Sequence, residues 1–247
     1  MNDVYTVAVQ KGGTGKTTTA AALAQAAVYR GRKALAIDLD PQGQLSFTLA
    51  SDTSKAGSYD LLNGVPAADV IQHIKPGLDV VSASWSLSTI TSGRGSARRL
   101  QRALEAVRSG YDVIVIDTPP TAGELQYNAL QASTGLIIPL EADIYNLQSL
   151  YQITDTAHQI QESNPALVIT GFVLTQYDGR STISRQLRDT IMEQADAMSV
   201  PYLGAIRAAV AVKEAAALQR SLFEYAPKSK PAADYLELFD TITRRVK

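Results

Sequence analysis

The stretch QKGGTGKTT at residues 10–18 decides the fold, and it lies between two short segments of different character. An apolar run, VYTVAV (4–9), precedes it and has the β-branched composition of a strand. An alanine-rich segment, TTTAAALAQAAVYR (17–30), follows it without a charge before the last residue, so it predicts a buried helix that Gly31 ends. A strand, a glycine-rich turn and a helix in this order predict a loop that binds phosphate.

The glycine-rich turn has the residue types that a phosphate needs. Its glycines let backbone N–H groups approach phosphate oxygens closely, and the N-terminus of the following helix adds positive potential. Lys16 is predicted to contact the β- and γ-phosphates, the Thr17 hydroxyl to ligate Mg²⁺, and Thr18 to lie close to the α-phosphate. The remaining predicted contacts of the loop with the nucleotide come from Gly12, Gly13, Thr14 and Gly15.

The entrance of this loop departs from the common phosphate-loop pattern, G-x-x-x-x-G-K-[ST]. That pattern would place glycine at position 10, where this chain has Gln10. The chain has a second lysine instead, Lys11, directly before two glycines. Because Lys16 already ends the loop, Lys11 needs a separate explanation.

Short apolar runs alternate with helical stretches along the whole chain. Because such alternation produces a mostly parallel sheet, the predicted fold class is α/β, doubly wound, with helices on both faces. No internal repeat, low-complexity tract or linker interrupts residues 1–247, which predicts a single domain, and the irregular region 51–76 predicts a short helix pair outside the sheet. Further strands are predicted at 33–39, 78–84, 112–117, 135–140, 166–175 and 201–206, and further helices at 98–110, 146–162, 181–197, 213–220 and 231–245.

Three aspartates lie at the ends of two predicted strands. Asp117 ends DVIVID (112–117), and Asp38 and Asp40 belong to the sequence DLDPQG that ends the second strand. Open α/β sheets bind ligands at the carboxyl ends of their strands, and strand alternation points Asp38 and Asp40 the same way. A single aspartate at a strand end is often a turn former, but three around one phosphate loop favour a site for nucleotide and Mg²⁺.

The composition excludes several classes of site. The 247 residues contain no cysteine, which excludes disulfides, thiolate metal sites, iron–sulfur clusters and cysteine nucleophiles. A formal net charge of −1 argues against a surface that is basic throughout, although it allows a local basic patch. His73 and His158 fall in predicted helices far from the motifs and are interpreted as surface or structural residues. Without a basic-then-apolar leader or a long apolar run, the sequence predicts a cytoplasmic protein.

The motifs together resemble those of the deviant Walker A ATPases, and most closely the ParA/Soj branch. K-G-G-x-G-K-T-T, D-x-D-P-Q-G and the strand end I-D-T-P-P carry the resemblance. It continues in order and spacing through 99–117, P-L-E-A-D-I-Y-N-L (139–147), L-T-Q-Y-D-G-R-S (174–181) and F-E-Y-A-P-K-S-K (223–230). The resemblance implies a P-loop NTPase fold of the deviant Walker A type, with ATP and Mg²⁺ as cofactors.

For single residues the resemblance implies roles around the nucleotide. Lys11 is similar to the signature lysine of the family, which reaches across an ATP-bound homodimer to the partner's phosphates, and Gly12 would lie where the two subunits approach closely. Asp40 resembles the residue that positions the attacking water, with Asp38 and Asp117 supporting Mg²⁺. The implied catalytic set is Lys11, Lys16 and Asp40, and the implied metal set is Thr17, Asp38 and Asp117.

ATP-bound members of the family bind double-stranded DNA without sequence preference, and only part of that surface carries over. Arg180 matches one basic position of the family. In IRAAVAVKEA (206–215), Ala211 stands where similar proteins have a later arginine, and Arg207 stands where they have proline. In the family the same segment borders the adenine, and the resemblance therefore also implies Arg207 as a nucleotide contact. The predicted DNA contacts are Arg180, Arg207, Lys213 and Arg220, with ordinary solvated charges as the alternative.

A second basic stretch lies in the predicted helix 98–110. It is interpreted as the solvent face of that helix rather than as a DNA contact, and its residues are Arg98, Arg99, Arg102 and Arg108.

The function that the resemblance implies is that of a partition-type ATPase with weak intrinsic activity. ATP closes a dimer, the dimer binds nucleoid DNA, and a ParB-like or other activating partner stimulates the hydrolysis that releases it. A membrane-cycling positioning ATPase of the MinD kind and a nucleotide-gated scaffold with negligible hydrolysis are the alternatives. A single apolar stripe on the last helix predicts core packing rather than a membrane anchor, and therefore no stable membrane association; it consists of Tyr235, Leu238, Phe239, Ile242 and Val246.

Overall fold

The structure, a computed structural model, describes residues 3–93 and 95–245. The strands are β1 (Asp3–Val7), β2 (Ala34–Asp38), β3 (Gln72–Lys75), β4 (Leu78–Val81), β5 (Val113–Asp117), β6 (Gly135–Glu141), β7 (Val168–Tyr177) and β8 (Tyr202–Arg207). The helices are α1 (Lys16–Tyr29), α2 (Gln44–Thr48), α3 (Ser58–Leu62), α4 (Ala67–Val70), α5 (Arg99–Leu104), α6 (Glu124–Ala132), α7 (Asn146–Gln161), α8 (Thr182–Ala197), α9 (Val210–Ala217), α10 (Leu222–Tyr225) and α11 (Lys230–Arg245). Short 3₁₀ turns lie at Trp85–Thr89, Ser96–Arg98 and Arg108–Gly110.

The strands of the described residues form one sheet in the order β3-β4-β2-β5-β1-β6-β7-β8. Neighbouring strands are parallel except β3 and β4, which pair antiparallel at one edge. Val7 of β1 and Asp38 of β2 are both in register with Asp117 of β5. The carboxyl ends of the three central strands are therefore level, at the edge where open α/β sheets bind ligands.

Helices cover both faces of the sheet, which confirms the predicted doubly wound α/β class. Alternate residues of β1 point to opposite sides, so that Tyr5 and Val7 join the core beneath α1 and α11 while Val4 joins the core beneath α3 and α5. A third core packs α7 and α8 against β6 and β7. All five residues of β5 are buried, as expected for a parallel strand that is covered on both faces.

The structure corrects several predicted elements. The helix pair predicted within 51–76 exists as α3 and α4, but the region also contains β3, so His73 lies in a strand and not in a helix. The four residues of β3 are half-buried or exposed, because an edge strand has no second neighbour, and the sequence therefore lacks an apolar run. The helix predicted at 98–110 is shorter, since α5 ends at Leu104 and turns complete the segment. Three helices, α2, α6 and α10, were not predicted.

The last helix packs as its pattern predicts. Tyr235, Leu238, Phe239 and Ile242 are each 2% exposed or less and belong to the core that also contains the buried face of α1. The fifth residue of the predicted stripe, Val246, lies outside the described residues. Among the helices of the described residues, none combines the length and the apolar character that crossing a bilayer would require.

Candidate active site

A glycine turn at the carboxyl end of β1 builds the phosphate loop. Gly13 and Gly15 have φ angles of 79° and 82°, in the left-handed region that glycine adopts without strain. Gly15 directly precedes α1, and a Cβ at this position would come within 3.4 Å of the Thr175 side chain. The Thr175 hydroxyl donates a hydrogen bond of 2.8 Å to the carbonyl oxygen of Thr14. The loop is thus fixed from beneath by β7, with the N-terminus of α1 opening onto it.

The two lysines of the loop have different partners. Lys16 is 7% exposed, and its Nζ donates a hydrogen bond of 2.6 Å to the carbonyl oxygen of Lys11. Burial lowers the pKa of Lys16, and the charges of Asp117 and Asp40 oppose that effect.

Lys11 directs its ammonium group to another part of the chain. Its Nζ lies 2.9 Å from Oδ2 of Asp143, in the segment between β6 and α7. The Lys11 side chain is 29% exposed. The Lys11 hydrogen bond lowers the pKa of Asp143. The ammonium also lies 6.0 Å from the centroid of the Tyr145 ring. The head group of Lys11 is therefore at the surface and away from Lys16, while its backbone belongs to the loop.

Asp38 is fully buried and held by three hydrogen bonds. Its Oδ1 accepts from the backbone N–H of Asp40 at 3.0 Å, and its Oδ2 accepts from the N–H and the hydroxyl of Ser46 at 2.8 and 2.7 Å. The Ser46 hydroxyl also accepts from the N–H of Ala83 at 2.8 Å, which links the carboxylate to the segment after β4. Burial raises the pKa of Asp38 to about 6, although these hydrogen bonds favour its charged form.

Asp117 is also fully buried, and neither of its carboxylate oxygens has a hydrogen bond among the described residues. Burial and the negative charge of Asp38 raise the pKa of Asp117 well above its ordinary value, while the Thr17 hydroxyl and the Lys16 ammonium lower it. An unpaired buried carboxylate is costly unless a ligand supplies positive charge. The arrangement therefore fits a cation that binds close to Thr17 and Asp117.

Asp40 completes the group of carboxylates. It is 8% exposed, and its Oδ1 accepts a hydrogen bond of 3.0 Å from the N–H of Gln42, while Oδ2 accepts none from the described residues. Residues 3–93 and 95–245 contain no group of three Asp, Glu or His side chains that could hold a metal ion by themselves. A cation at this site would thus take part of its ligands from a nucleotide or from water, as Mg²⁺ commonly does.

A cavity of about 580 Å³ adjoins the phosphate loop. Gly13, Gly15 and Thr18 line it on one side and Tyr235 on another, and the segment 206–210 together with Lys213 closes the rest. Its volume lies in the range of small-molecule sites. The cavity and the loop form one continuous site that offers a phosphate cradle beside a largely apolar chamber.

Arg207 lies at the wall of this cavity, where its guanidinium is already bound. Nε donates to Oδ2 of Asp234 at 2.9 Å, Nη2 donates to Oδ1, and the backbone N–H of Arg207 also donates to Oδ2. The pair raises the pKa of Arg207 and joins the end of β8 to α11. The structure thus places Arg207 beside the cavity, with its charge directed to a carboxylate and not into the cavity.

The other predicted basic residues occupy separate places. Arg180 follows β7, is 93% exposed and pairs with Asp178 at 3.1 Å. Lys213 is exposed on α9 at the rim of the cavity, and Arg220 lies over the ring of Tyr225 at 5.7 Å. No contact within the described residues brings these cations into one cluster.

Several residues of the site escaped sequence reasoning. Thr175 and Gln176 lie just before the end of β7, and the side-chain amide of Gln176 donates to the carbonyl oxygen of Gly13 at 3.2 Å and to Glu141. Asp143, the partner of Lys11, and Asp234, the partner of Arg207, were also missed. Thr175, Gln176 and Asp143 lie within segments that carry the family resemblance, but nothing in those segments indicates contacts with residues 130 or more positions away.

Comparison with known proteins agrees with this geometry. The family model described as an AAA domain matches residues 2–169. The sporulation initiation inhibitor protein Soj of Bacillus subtilis is 34% identical over 249 residues, covering 96% of this chain and 97% of that protein. The chromosome partitioning protein ParA of Caulobacter vibrioides is 36% identical, covering 98% of this chain and 94% of that protein.

The fold has a close structural neighbour as well. A crystal structure of cobyrinic acid a,c-diamide synthase from Mycobacterium smegmatis with a bound ATP analogue and magnesium superposes with a TM-score of 0.86 at 31% identity. The alignment covers 100% of this chain and 96% of that one. Sequence matches over nearly the full length, the deviant phosphate loop and the shared fold lead to one conclusion: the chain belongs to the ParA/MinD family of ATPases, with Soj and ParA proteins among its relatives.

Proposed function

We propose that this protein is a partition ATPase that forms an ATP-bound homodimer, binds DNA without sequence preference and is released by hydrolysis. The placement of Lys11 carries the proposal. Its backbone forms part of the phosphate loop, but its ammonium is held at the surface by Asp143, where a second subunit can reach it. Relatives named for chromosome partitioning support this cellular role, in which the protein would act on the nucleoid.

ATP would bind with its triphosphate on the loop and its nucleoside in the adjoining cavity. The Thr17 hydroxyl, Asp38 and Asp117 would hold Mg²⁺, which supplies positive charge to the phosphates when it is bound. The buried oxygens of Asp117 favour this assignment, because among the described residues only the nearby Thr17 hydroxyl and the charge of Lys16 offset their burial. A structural neighbour at 31% identity binds an ATP analogue and magnesium.

Hydrolysis would proceed by in-line attack of water on the γ-phosphate. Lys16 is buried at the base of the loop and would neutralise charge on the phosphates of its own nucleotide. Asp40 would orient the water through the oxygen that has no hydrogen bond among the described residues. Lys11 would act on the partner's nucleotide, which requires its ammonium to leave Asp143.

Gly12 supports a close approach of two subunits. It is exposed, its φ lies outside the left-handed region, and a Cβ would meet nothing within 4 Å in the single chain. The backbone therefore gives no local reason for glycine at this position, in contrast to Gly15. A second chain packed against the loop would supply that reason.

DNA binding would use the exposed cations Arg180, Lys213 and Arg220, with Arg207 at the rim of the nucleotide cavity. The pair between Arg180 and Asp178 is at the surface, where ion pairs contribute little, so a phosphate can replace the carboxylate. A ParB-like or other activating protein would then stimulate hydrolysis and release the dimer from DNA.

The test compares wild type, Lys11→Ala and the matched control Lys55→Ala, an exposed lysine far from the loop in sequence. Gel filtration with light scattering is run with ATP, with ADP and without nucleotide. Lys11→Ala should bind ATP but remain a monomer, while the control should dimerise like wild type. An ATP-dependent dimer of Lys11→Ala with unchanged hydrolysis would refute the assignment.

DNA binding is measured on the same three proteins by fluorescence anisotropy of a labelled duplex. It should require ATP and weaken steeply between about 50 and about 200 mM salt. DNA binding that does not depend on the salt concentration or on the nucleotide would contradict the proposal.

Two further measurements separate the alternatives. A MinD-like protein would bind liposomes in the presence of ATP, which the burial of the apolar face of α11 disfavours. A scaffold with negligible hydrolysis would show the same turnover after Asp40→Ala, whereas the partition ATPase should lose it.

A further inference from the structure

A second cavity, of about 740 Å³, opens between the α3–α4 turn and α5. We name it the α3–α5 groove and define it by Leu62, Val65, Ala67, Arg99, Ala103 and Val107. Helices α3, α4 and α5 pack on the opposite face of the sheet from α1. No residue that lines the groove also lines the cavity beside the phosphate loop. The groove is therefore separate from the nucleotide site.

The lining of the groove is apolar and recessed. Leu62 and Ala67 are buried and continue into the core below, while Val65, Ala103 and Val107 are half-buried on its sides. Small residues on both walls leave the space between the α3–α4 turn and α5 unfilled. A surface of this kind excludes water from small apolar side chains that enter it.

Two arginines of α5 give the groove a positive charge. Arg102 is exposed, and among the described residues its Nε and Nη2 donate only to backbone oxygens, those of Arg98 and Gly95, each at 3.2 Å. Arg99 is half-buried, three residues earlier on the same helix, and lines the groove beside it. No carboxylate of the described residues forms an ion pair with Arg99 or Arg102, and no Asp or Glu lines the groove.

We propose that the α3–α5 groove binds a short acidic segment of a partner protein. Small apolar side chains of that segment enter between Ala67 and Ala103, and its carboxylates pair with Arg99 and Arg102. Arginine forms two parallel hydrogen bonds with a carboxylate, which gives such a contact direction as well as charge complementarity. DNA is the less fitting occupant, because the phosphate backbone has no apolar group that would fill the recess.

The experiment selects peptides from a displayed library of random short peptides on the immobilised full-length protein with ATP. Two variants test whether a selected peptide binds in the groove. Arg99→Glu/Arg102→Glu reverses the charge of the groove, and Arg185→Glu/Arg188→Glu is the matched control, with two arginines at the same spacing on α8. A synthetic peptide of the selected consensus is then titrated by fluorescence anisotropy.

The proposal expects a consensus of acidic residues beside small apolar ones. The peptide should lose about tenfold or more in affinity for Arg99→Glu/Arg102→Glu and for Ala103→Trp, which fills the recess, and none for the control. ATP hydrolysis should be unchanged in all variants, which verifies that they fold. A consensus without acidic residues, equal binding to all variants, or a loss of duplex DNA binding specific to Arg99→Glu/Arg102→Glu would each overturn it.

Discussion

Replacing Asp38 by asparagine tests whether the carboxylates of the site cost stability before a nucleotide binds. Asp38 is fully buried, and burial raises its pKa to about 6, from an ordinary value of 3.8. For a carboxyl group the raised pKa means that the folded protein holds the proton more tightly than the unfolded chain. Stability therefore falls as the pH rises from the unfolded value to the folded one, and the full penalty applies above that window.

The size of the penalty follows from the two pKa values. The difference between 3.8 and about 6 corresponds to about 3 kcal/mol of unfolding free energy. Roughly 2 kcal/mol of this falls between about pH 4.5 and about pH 7.5, which for a chain of this length is a difference of about 4–8 °C in Tm. Asp117 adds to the effect in the same direction, because burial also raises its pKa.

The assay follows thermal unfolding by circular dichroism, without nucleotide, at both pH values. In Asp38→Asn, the difference in unfolding free energy between the two pH values should be smaller than in wild type by at least about 2 kcal/mol. Asparagine keeps one of the two acceptor oxygens, and the hydrogen bonds lost with the other change stability by an amount that is the same at both pH values, so only the difference between them is compared. Asp155→Asn, an exposed residue of α7, is the control. Equal loss of stability with pH in wild type and Asp38→Asn would refute the argument.

Three further perturbations test other parts of the structure. Ile242→Ala removes a fully buried side chain of α11 and should lower the unfolding free energy by about 2–5 kcal/mol, measured by chemical denaturation; an unchanged midpoint would contradict the core assignment. Gly171→Ala should cost about 2 kcal/mol or more, seen as a lower Tm, because its φ is 146° and a Cβ would lie 2.3 Å from the carbonyl oxygen of Pro201. Arg207→Ala should weaken the binding of a fluorescent ATP analogue severalfold, since Arg207 lines the cavity and its partner Asp234 loses the ion pair, and Arg207→Lys should restore little because an ammonium cannot form the paired contact.

The parallel sheet was predictable because its strands are buried on both faces. A run such as VIVID (113–117) has no polar position before its end, so sequence pattern and environment agree. The pattern fails where polar residues face inward. In α6, Gln126 and Asn128 are fully buried. Hydrogen bonds offset the cost of this burial, because Gln126 accepts one from Gln10 and Asn128 accepts one from the N–H of Leu100. Three of the six buried residues of α6 are polar, which weakens the apolar pattern that would predict a helix.

The residues of the site also differ in how far the sequence predicts them. Asp38 and Asp117 were predicted to meet because each ends a strand, and they are in register across β2 and β5. Partners that depend on tertiary packing were not predictable. Asp143 lies 132 residues from Lys11, and the αL conformation that lets Gln176 reach Gly13 is unusual for a residue other than glycine.

The partners of the two lysines support the proposal that Lys11 acts on the nucleotide of a second subunit. Two ammonium groups in one loop repel each other unless phosphate lies between them or the side chains diverge. In the single chain they diverge, because Lys16 Nζ binds the backbone oxygen of Lys11, and Lys11 Nζ binds Asp143. The ion pair with Asp143 is partly exposed and therefore weak. A triphosphate on a facing subunit would offer Lys11 more negative charge than one carboxylate does, so closure of the proposed dimer would give this lysine a stronger partner than it has alone.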